Sequence, residues 1–324
     1  AILRVHARGK PLGDDVDLNS IARGTPGFSG ADLENLLNEA ALLAVRRRGR
    51  FITQADIDEA ILKVQMGPEK KSKVMSPKAK KLTAYHEAGH AIAGKYLEHT
   101  DPVHYITIIP RGRALGVTMQ LPEEDRHSYT RGYLLNTLVV LLGGRVAEEL
   151  VLSDYTTGAS NDIERVTRTA RRMVCEWGMS EAIGTLAVGE KNEEVFIGRE
   201  WVQNKNYSEE TARLVDAEVK RIVEEAYARC RKLLQDNMET LHRIANALLE
   251  RETITGEELD LIMENKPLPP LDANGKPVRQ EEQQTATGFV LEPDTAADGD
   301  ASDKESDTPA SGKDSGSDDD SRRN

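Results

Sequence analysis

The stretch His86–His90, which reads His-Glu-Ala-Gly-His, constrains this chain more than any other feature of its sequence. Residues four apart on an α-helix lie about 40° apart on one face, one turn along. Two imidazoles at this spacing can bind one zinc ion, which takes three protein ligands and keeps an open water position in catalytic sites. Glu87 lies beside such an ion and is free to take a proton from that water. We therefore expect a helix with His86 and His90 as metal ligands and Glu87 as general base.

The residues around this motif predict the helix itself. Ser76 is a good N-cap, and Pro77 suits the first helical position. Apolar residues then recur at helical spacing as far as Tyr96. Gly89 is a poor helix former, and two explanations for it are open. It allows either another backbone or a substrate to come close, or it allows a tight helix crossing.

Spacing leaves two candidates for the third metal ligand. A histidine six residues after His90 would be one solution, but Tyr96 occupies that position. Glu148 lies on a predicted helix at a suitable distance, and Asp162 lies in the first turn of another. An acid in a first turn also offsets the helix dipole, which is worth about 0.3–1 kcal/mol. Spacing alone does not choose between these two carboxylates.

The chain divides at a lysine-rich segment. Residues 1–66 show three amphipathic helical patterns and predict a small helical module, and residues 67–75 predict a linker. Residues 76–265 predict a second module, in which the strand-like runs 103–109 and 115–121 follow the histidine helix. We expect a mainly α fold with a small β-sheet beside the metal helix. The predicted starts of further helices are Val16, Ser29, Thr53, Thr130, Ser160, Ser208 and Thr255.

The net charge of −12 says little about the folded part, because much of it lies near the end of the chain. Residues 292–320 hold eleven acidic residues against two lysines. We expect residues 266–324 to form a disordered acidic tail. The six lysines of residues 70–81 have no aromatic residues between them, so no nucleic-acid binding is expected. The longest apolar run, residues 138–142, is too short to span a bilayer.

Four segments of the chain, residues 83–90, 109–116, 157–162 and 173–180, are long and follow one another in a fixed order. In these segments the chain resembles the FtsH-type membrane-bound AAA proteases. Together with the first module, the resemblance covers roughly residues 1–265.

The resemblance implies a role for each candidate residue. In that family two histidines and the Asp of a Ser-Asn-Asp segment bind zinc, which maps to His86, His90 and Asp162. Glu87 is then the general base, and the zinc-bound water that it activates attacks the peptide carbonyl. Glu148 matches a family acid near the site that does not bind the metal and would suit a hydrogen bond to a ligand histidine.

The first module is similar to the helical lid of an AAA ATPase domain over residues 27–34. By this resemblance His6, Gly30 and Ala31 contact the nucleotide, and a helix start that needs glycine for packing is the alternative. No Gly-x-x-x-x-Gly-Lys-Ser/Thr loop occurs in the sequence. This chain alone is therefore not expected to hydrolyse ATP, and ATP with Mg²⁺ would bind through an upstream half that is absent.

The resemblance implies a zinc endopeptidase that is the C-terminal part of an ATP-driven, membrane-anchored protease. It implies a homo-hexamer that degrades unfolded polypeptides, both membrane and soluble, on the cytoplasmic side of the bacterial inner membrane, held by an N-terminal anchor outside this chain. The strand at 115–120 either pairs with substrate backbone or belongs to the core. Two other functions are weighed against this one: a non-catalytic ring-assembly or adaptor subunit, and a zinc hydrolase of small molecules. The His-Glu-His-Asp set argues against the first, and the ATPase lid argues against the second.

Overall fold

A computed structural model describes residues 1–70, 75–112, 114–122, 128–153, 155–189 and 207–271. All of these residues belong to one compact unit, Ala1–Pro277. The predicted acidic tail lies outside the described residues from position 272 onwards, and so do residues 71–74 of the predicted linker.

The N-terminal module is a small helical bundle. Ser29 caps its longest helix in a reciprocal pair with Asp32, as the sequence predicts, and Thr53 is the N-cap of the last helix. The short first helix was not predicted, because it has five residues, no side-chain cap and only Leu3 buried. The helices described in this module are α1 (Ile2–His6), α2 (Leu18–Arg23), α3 (Gly30–Arg46) and α4 (Gln54–Met66).

The second module is mainly helical with a small sheet, which confirms the predicted fold class. Its first helix begins after Ser76, whose hydroxyl accepts a hydrogen bond from the Ala79 N–H, and Pro77 is its first residue, as predicted. Residues 208–251 form two helices. The described elements are α5 (Pro77–Tyr96), β1 (Val103–Thr107), β2 (Val117–Gln120), α6 (Arg131–Leu152), α7 (Ser160–Cys175), α8 (Glu209–Asp236), α9 (Met238–Arg251), β3 (Thr253–Thr255) and α10 (Gly256–Met263).

The sheet is antiparallel, with the strand order β2-β1-β3. The third strand was not predicted, because three residues between two helices are too short to show alternation. Ile106 lies opposite both Thr118 and Ile254, so these residues share the face that is turned to the main core. Tyr105 lies opposite Met119 on the other face, where Met119 packs against the core of the N-terminal module.

Helices α5 and α6 cross with their backbones in contact. A Cβ atom on Gly89 would lie 2.3 Å from the Gly143 carbonyl oxygen, and one on Gly143 would lie 2.5 Å from the Gly89 oxygen. The glycine between the two histidines therefore serves a tight helix crossing. α6 runs without a break through this point and brings its C-terminal half alongside the histidines. No helix in the described part of the chain is long and apolar enough to cross a membrane.

Candidate metal centre

Helix α5 brings the two histidines of the motif together on one side. The Nε2 atoms of His86 and His90 lie 3.1 Å apart, and the two rings meet edge to face with their centroids 4.7 Å apart. His90 is buried and His86 is nearly so. Both rings therefore direct their Nε2 atoms to the same point, as the four-residue spacing predicts.

Asp162 reaches the same place from the first turn of α7. Its Oδ2 atom lies 3.4 Å from His86 Nε2 and 3.5 Å from His90 Nε2. The prediction that Ser160 caps this helix is wrong, since the N-cap is Ala159 and makes no side-chain cap bond. The reason is a short 3₁₀ turn, Thr157–Ala159, which Thr156 caps and which runs directly into α7.

The triangle formed by these three atoms fits a zinc ion. A tetrahedral ion with ligand bonds of about 2.0–2.1 Å holds its ligand atoms about 3.3 Å apart, and the three edges here are 3.1, 3.4 and 3.5 Å. Two imidazoles and one carboxylate are also a donor set that zinc accepts. Within the described ranges, His86, His90 and Asp162 are the group of side chains that could hold a metal ion.

Hydrogen bonds on the far side of each ring fix the orientation of the histidines. His90 Nδ1 donates to the Val140 carbonyl oxygen at 2.7 Å, so this nitrogen carries the proton and Nε2 presents its lone pair. His86 Nδ1 lies 2.7 Å from Oε1 of Glu148, a side chain with no exposed surface. The other Glu148 oxygen accepts the Thr156 N–H at 2.8 Å. Glu148 thus lies on the Nδ1 side of His86, away from the Nε2 triangle.

The electrostatics of the site favour a positive charge at its centre. Burial lowers the pKa of His86, but its hydrogen bonds to Asp162 and Glu148 outweigh burial and raise the pKa to about 10. Burial raises the pKa of Asp162, but hydrogen bonds from His86 and His90 bring it well below its usual range. A cation bound between these groups must displace the proton that they otherwise share.

Glu87 lies next to the triangle and is almost fully buried, with 6% of its surface exposed. The Thr118 hydroxyl lies 2.8 Å from Glu87 Oε2 and 3.1 Å from the Glu87 carbonyl oxygen, so it can donate to either. Burial raises the pKa of Glu87 more than the neighbouring histidines and Thr118 lower it. A carboxylate with a raised pKa is suited to take up and later release a proton near neutral pH.

Several contacts of the site have no counterpart in the sequence motifs. Thr118 comes from β2, and the Val140 carbonyl and Thr156 N–H are main-chain groups, so residue type gives no indication of them. Gly144 has a similar role: a Cβ there would lie 2.5 Å from the His86 ring, so only glycine leaves room for it.

The residues predicted to contact a nucleotide lie in the N-terminal module. Gly30 is the first residue of α3 and Ala31 the second, while His6 ends α1. A Cβ on Gly30 would lie 3.8 Å from a methyl group of Ile2, and His6 Nδ1 lies 3.9 Å from a Glu34 carboxylate oxygen. α1 therefore packs against the start of α3. The nucleotide contacts stay a prediction.

A mainly helical fold with two histidines one turn apart, a buried glutamate between them and a distant carboxylate has the architecture of a zinc metallopeptidase. The sequence profile of peptidase family M41 matches residues 73–262, which is more than half of the chain. This chain belongs to peptidase family M41. The profile of the AAA+ lid domain matches residues 15–59, within the N-terminal module.

The chain is similar to curated proteins that are named as ATP-dependent zinc metalloproteases. The chain is 58% identical to "ATP-dependent zinc metalloprotease FtsH 1" of Thermoanaerobacter sp. (strain X514), over 81% of this chain and 43% of that protein. It is 55% identical to an "ATP-dependent zinc metalloprotease FtsH" of Acidobacterium capsulatum, over 85% of this chain and 43% of that protein. It is 56% identical to the protein of that name in Veillonella parvula, over 80% of this chain and 40% of that protein. The chain thus spans about two fifths of the length of these relatives.

Proposed function

We propose that this chain is the proteolytic part of an ATP-dependent zinc endopeptidase. The observation that carries the proposal is the triangle of His86 Nε2, His90 Nε2 and Asp162 Oδ2, which lies beside the buried carboxylate of Glu87. Family membership and the names of the relatives support the same chemistry.

His86, His90 and Asp162 would hold the zinc ion, and Glu148 would keep His86 in the orientation that this requires. When bound, zinc lowers the pKa of a coordinated water toward about 7 and polarises the scissile carbonyl. Oε2 of Glu87 accepts from Thr118, so the other carboxylate oxygen is the one that takes the proton of the attacking water. Glu87 then gives this proton to the leaving amine.

The polypeptide substrate would bind along β2. This strand lies at one edge of the three-stranded sheet in the described residues, and all four of its side chains are partly exposed. A substrate that adds to β2 as a further strand is held through main-chain hydrogen bonds, so its sequence matters little. Thr118 in the same strand contacts Glu87, so such a substrate would lie next to the general base.

The remaining parts of the proposal rest on the family and the AAA+ lid match. Residues 1–66 would be the ATPase lid, with His6, Gly30 and Ala31 at the nucleotide, residues 67–75 a linker and residues 76–265 the peptidase domain. The complete protein would be a homo-hexamer that takes up unfolded polypeptides, with ATP and Mg²⁺ bound by the rest of the ATPase domain. It would be anchored in the bacterial inner membrane, with these domains on the cytoplasmic side.

The chemistry is tested by casein cleavage with the zinc-loaded, full-length protein and its Glu87→Gln variant. We expect the variant to keep its zinc and to lose cleavage by about 10²–10⁴-fold, the usual contribution of a general base. Glu98→Gln is the matched control, because Glu98 is exposed on the segment just after the same helix, and it should cleave normally. Normal cleavage by a zinc-loaded Glu87→Gln protein would show that Glu87 is not the base. A wild-type protein that binds zinc and cleaves nothing would favour the non-catalytic subunit.

A further inference from the structure

The N-terminal module is packed against the back of the sheet whose front faces the metal helix. Met119 of β2 packs against the core of the module. The Leu121 methyl groups lie next to Gly24, 3.5 Å from where a Cβ would be. His104 Nε2 lies 3.6 Å from an Asp58 carboxylate oxygen of α4. The sheet is therefore a thin layer between the module and the candidate active site.

Arg111 is the central charged residue of this interface. It lies in the loop between β1 and β2, and only 2% of its side chain is exposed. Its Nη2 atom donates to Glu59 of α4 at 2.6 Å and to Glu69, just after α4, at 2.7 Å. One guanidinium group thus joins the N-terminal module, the segment that follows it and the loop that leads into β2.

Main-chain groups also join the end of α4 and the segment after it to the loop between β1 and β2. The Lys70 N–H donates to the Pro110 carbonyl oxygen at 2.9 Å. Gly112 has a φ of 49°, and a Cβ there would lie 2.2 Å from the Met66 carbonyl oxygen, so only glycine fits. Because the loop is pressed against the end of α4, a rotation of α4 must move the loop.

The loop continues into a strand of only four residues. Thr118 and Met119 are adjacent and point to opposite faces, because side chains alternate along a strand. Thr118 binds Glu87 on one face and Met119 contacts the module on the other. A displacement of the module therefore reaches the general base through neighbouring residues of one short strand.

The chemistry of the interface suits a contact that opens and closes. A buried ion pair adds little net stability, because the cost of removing both charges from water offsets their attraction, so its separation into water costs little. Among the described residues, Nε and Nη1 of Arg111 and the hydroxyl of the buried Tyr105 have no hydrogen-bond partner. A polar interface with unpaired buried groups is held less firmly than a fully paired one.

We propose that Arg111 is a positioning residue that couples the docking of the N-terminal module to the placement of Glu87. In the docked arrangement Arg111 holds α4 and the loop together, so β2 keeps Thr118 on the Glu87 carboxylate. When the module moves with the nucleotide state of its ATPase domain, this hold is released and cleavage slows. The inference rests on the proposed function, since it concerns the residue that acts as general base there.

The test measures cleavage of a short fluorogenic peptide, which needs no unfolding, by the zinc-loaded full-length protein with a non-hydrolysable ATP analogue and with ADP. We expect the wild-type rates to differ by several-fold between the two nucleotides. Arg111→Met should bring their ratio close to one while zinc content and ATPase activity are kept. Glu59→Gln should have the same effect, and the double variant should add nothing further. Arg165→Met is the control, because Arg165 is exposed on α7, and it should keep the wild-type ratio.

Equal wild-type rates in both nucleotides, or a wild-type ratio in Arg111→Met, would overturn the coupling. If Arg111→Met loses its zinc, Glu59→Gln decides, because it keeps the side-chain shape and removes only the charge. Arg111→Lys should give an intermediate ratio, since an ammonium cannot span both carboxylates with the geometry of the guanidinium. A wild-type protein that cleaves no peptide, or an active Glu87→Gln, would instead defeat the proposed function.

Discussion

Two first-turn acids, Asp56 in the N-terminal module and Asp162 in the candidate metal centre, show how different partners give similar residues different roles. Both lie in the first turn of a helix, and the pKa of each carboxyl is held below its usual range although burial acts in the opposite direction. Asp56 accepts hydrogen bonds from Arg47 Nε at 2.8 Å and from the Thr53 N–H at 2.9 Å. Asp162 instead faces two imidazole nitrogens.

The difference lies in what each acid does for its own helix. Asp56 completes the start of α4, whereas α7 begins without any side-chain cap. Asp162 is turned away from that task and toward His86 and His90, with which it is proposed to hold the zinc ion. A local rule is thus broken at a candidate site, where departures of this kind are expected.

The largest effect should come from Asp162→Asn. The amide is a poor ligand for zinc, so we expect the protein to lose stoichiometric zinc and, with it, proteolysis. Metal analysis after dialysis against a weak chelator measures this. Asp56→Asn is the matched control in the other region and should keep one zinc per chain. Unchanged zinc and unchanged activity in Asp162→Asn would remove Asp162 from the ligand set.

The second largest effect should come from Glu148, the acid that binds the far side of the His86 ring. Glu148→Gln keeps the shape of the side chain but weakens its hold on His86, and we expect zinc affinity to fall by about 10–100-fold. Competition with a fluorescent chelator gives the affinity. Glu149, one residue further along α6, binds Tyr227 and Arg231 instead of a histidine. Glu149→Gln is therefore the control and should leave zinc affinity unchanged. Equal losses in both variants would mean that the effect is one of helix stability.

A smaller effect is expected in the N-terminal module. Asp56→Ala removes the partner of Arg47 and the acid that binds the Thr53 N–H, and we expect a loss of about 2 kcal/mol in local stability. Hydrogen exchange of the α4 amides measures this loss. Asp32→Ala, at the equivalent exposed position of α3, is the comparison and should cost less, because Asp32 is bonded to Ser29 and to no arginine in the described part of the chain. Similar losses would show that Arg47 adds nothing to the cap.

The smallest effect should be a pH dependence of the local stability of α4. Because the pKa of Asp56 is lower in the folded protein than in the unfolded chain, its contribution is complete above about pH 4 and is lost as pH falls through the folded pKa. In that range the unfolded chain binds more protons, so stability rises with pH. Hydrogen exchange of α4 between about pH 2 and 5 should show this slope, and Asp56→Asn should flatten it. An unchanged slope would assign it to other acids.

Local patterns in the sequence were sufficient to predict most of the helices and most of their starts. Apolar spacing and caps at Ser29, Thr53 and Ser76 depend on neighbours within one turn, so the sequence contains them. The facing of His86 and His90 follows from the same periodicity. The predictions failed where local rules give little information. α1 and β3 are too short to show a pattern. Ser160 was expected to cap α7, but a 3₁₀ turn precedes this helix, so Ser160 is its first residue and not its N-cap.

The sequence by itself determined a mainly helical chain with two imidazoles on one face of a helix, because helical geometry relates residues four apart without reference to the rest of the fold. Only the tertiary structure decided where the distant groups lie. It puts Asp162 on the Nε2 side of both rings, Glu148 on the Nδ1 side of His86, and Thr118 on Glu87. Such contacts join segments about 30–75 positions apart, and they depend on how α5 crosses α6 and on which face of β2 is turned inward. No local periodicity records these choices, since they are set by packing of the whole chain.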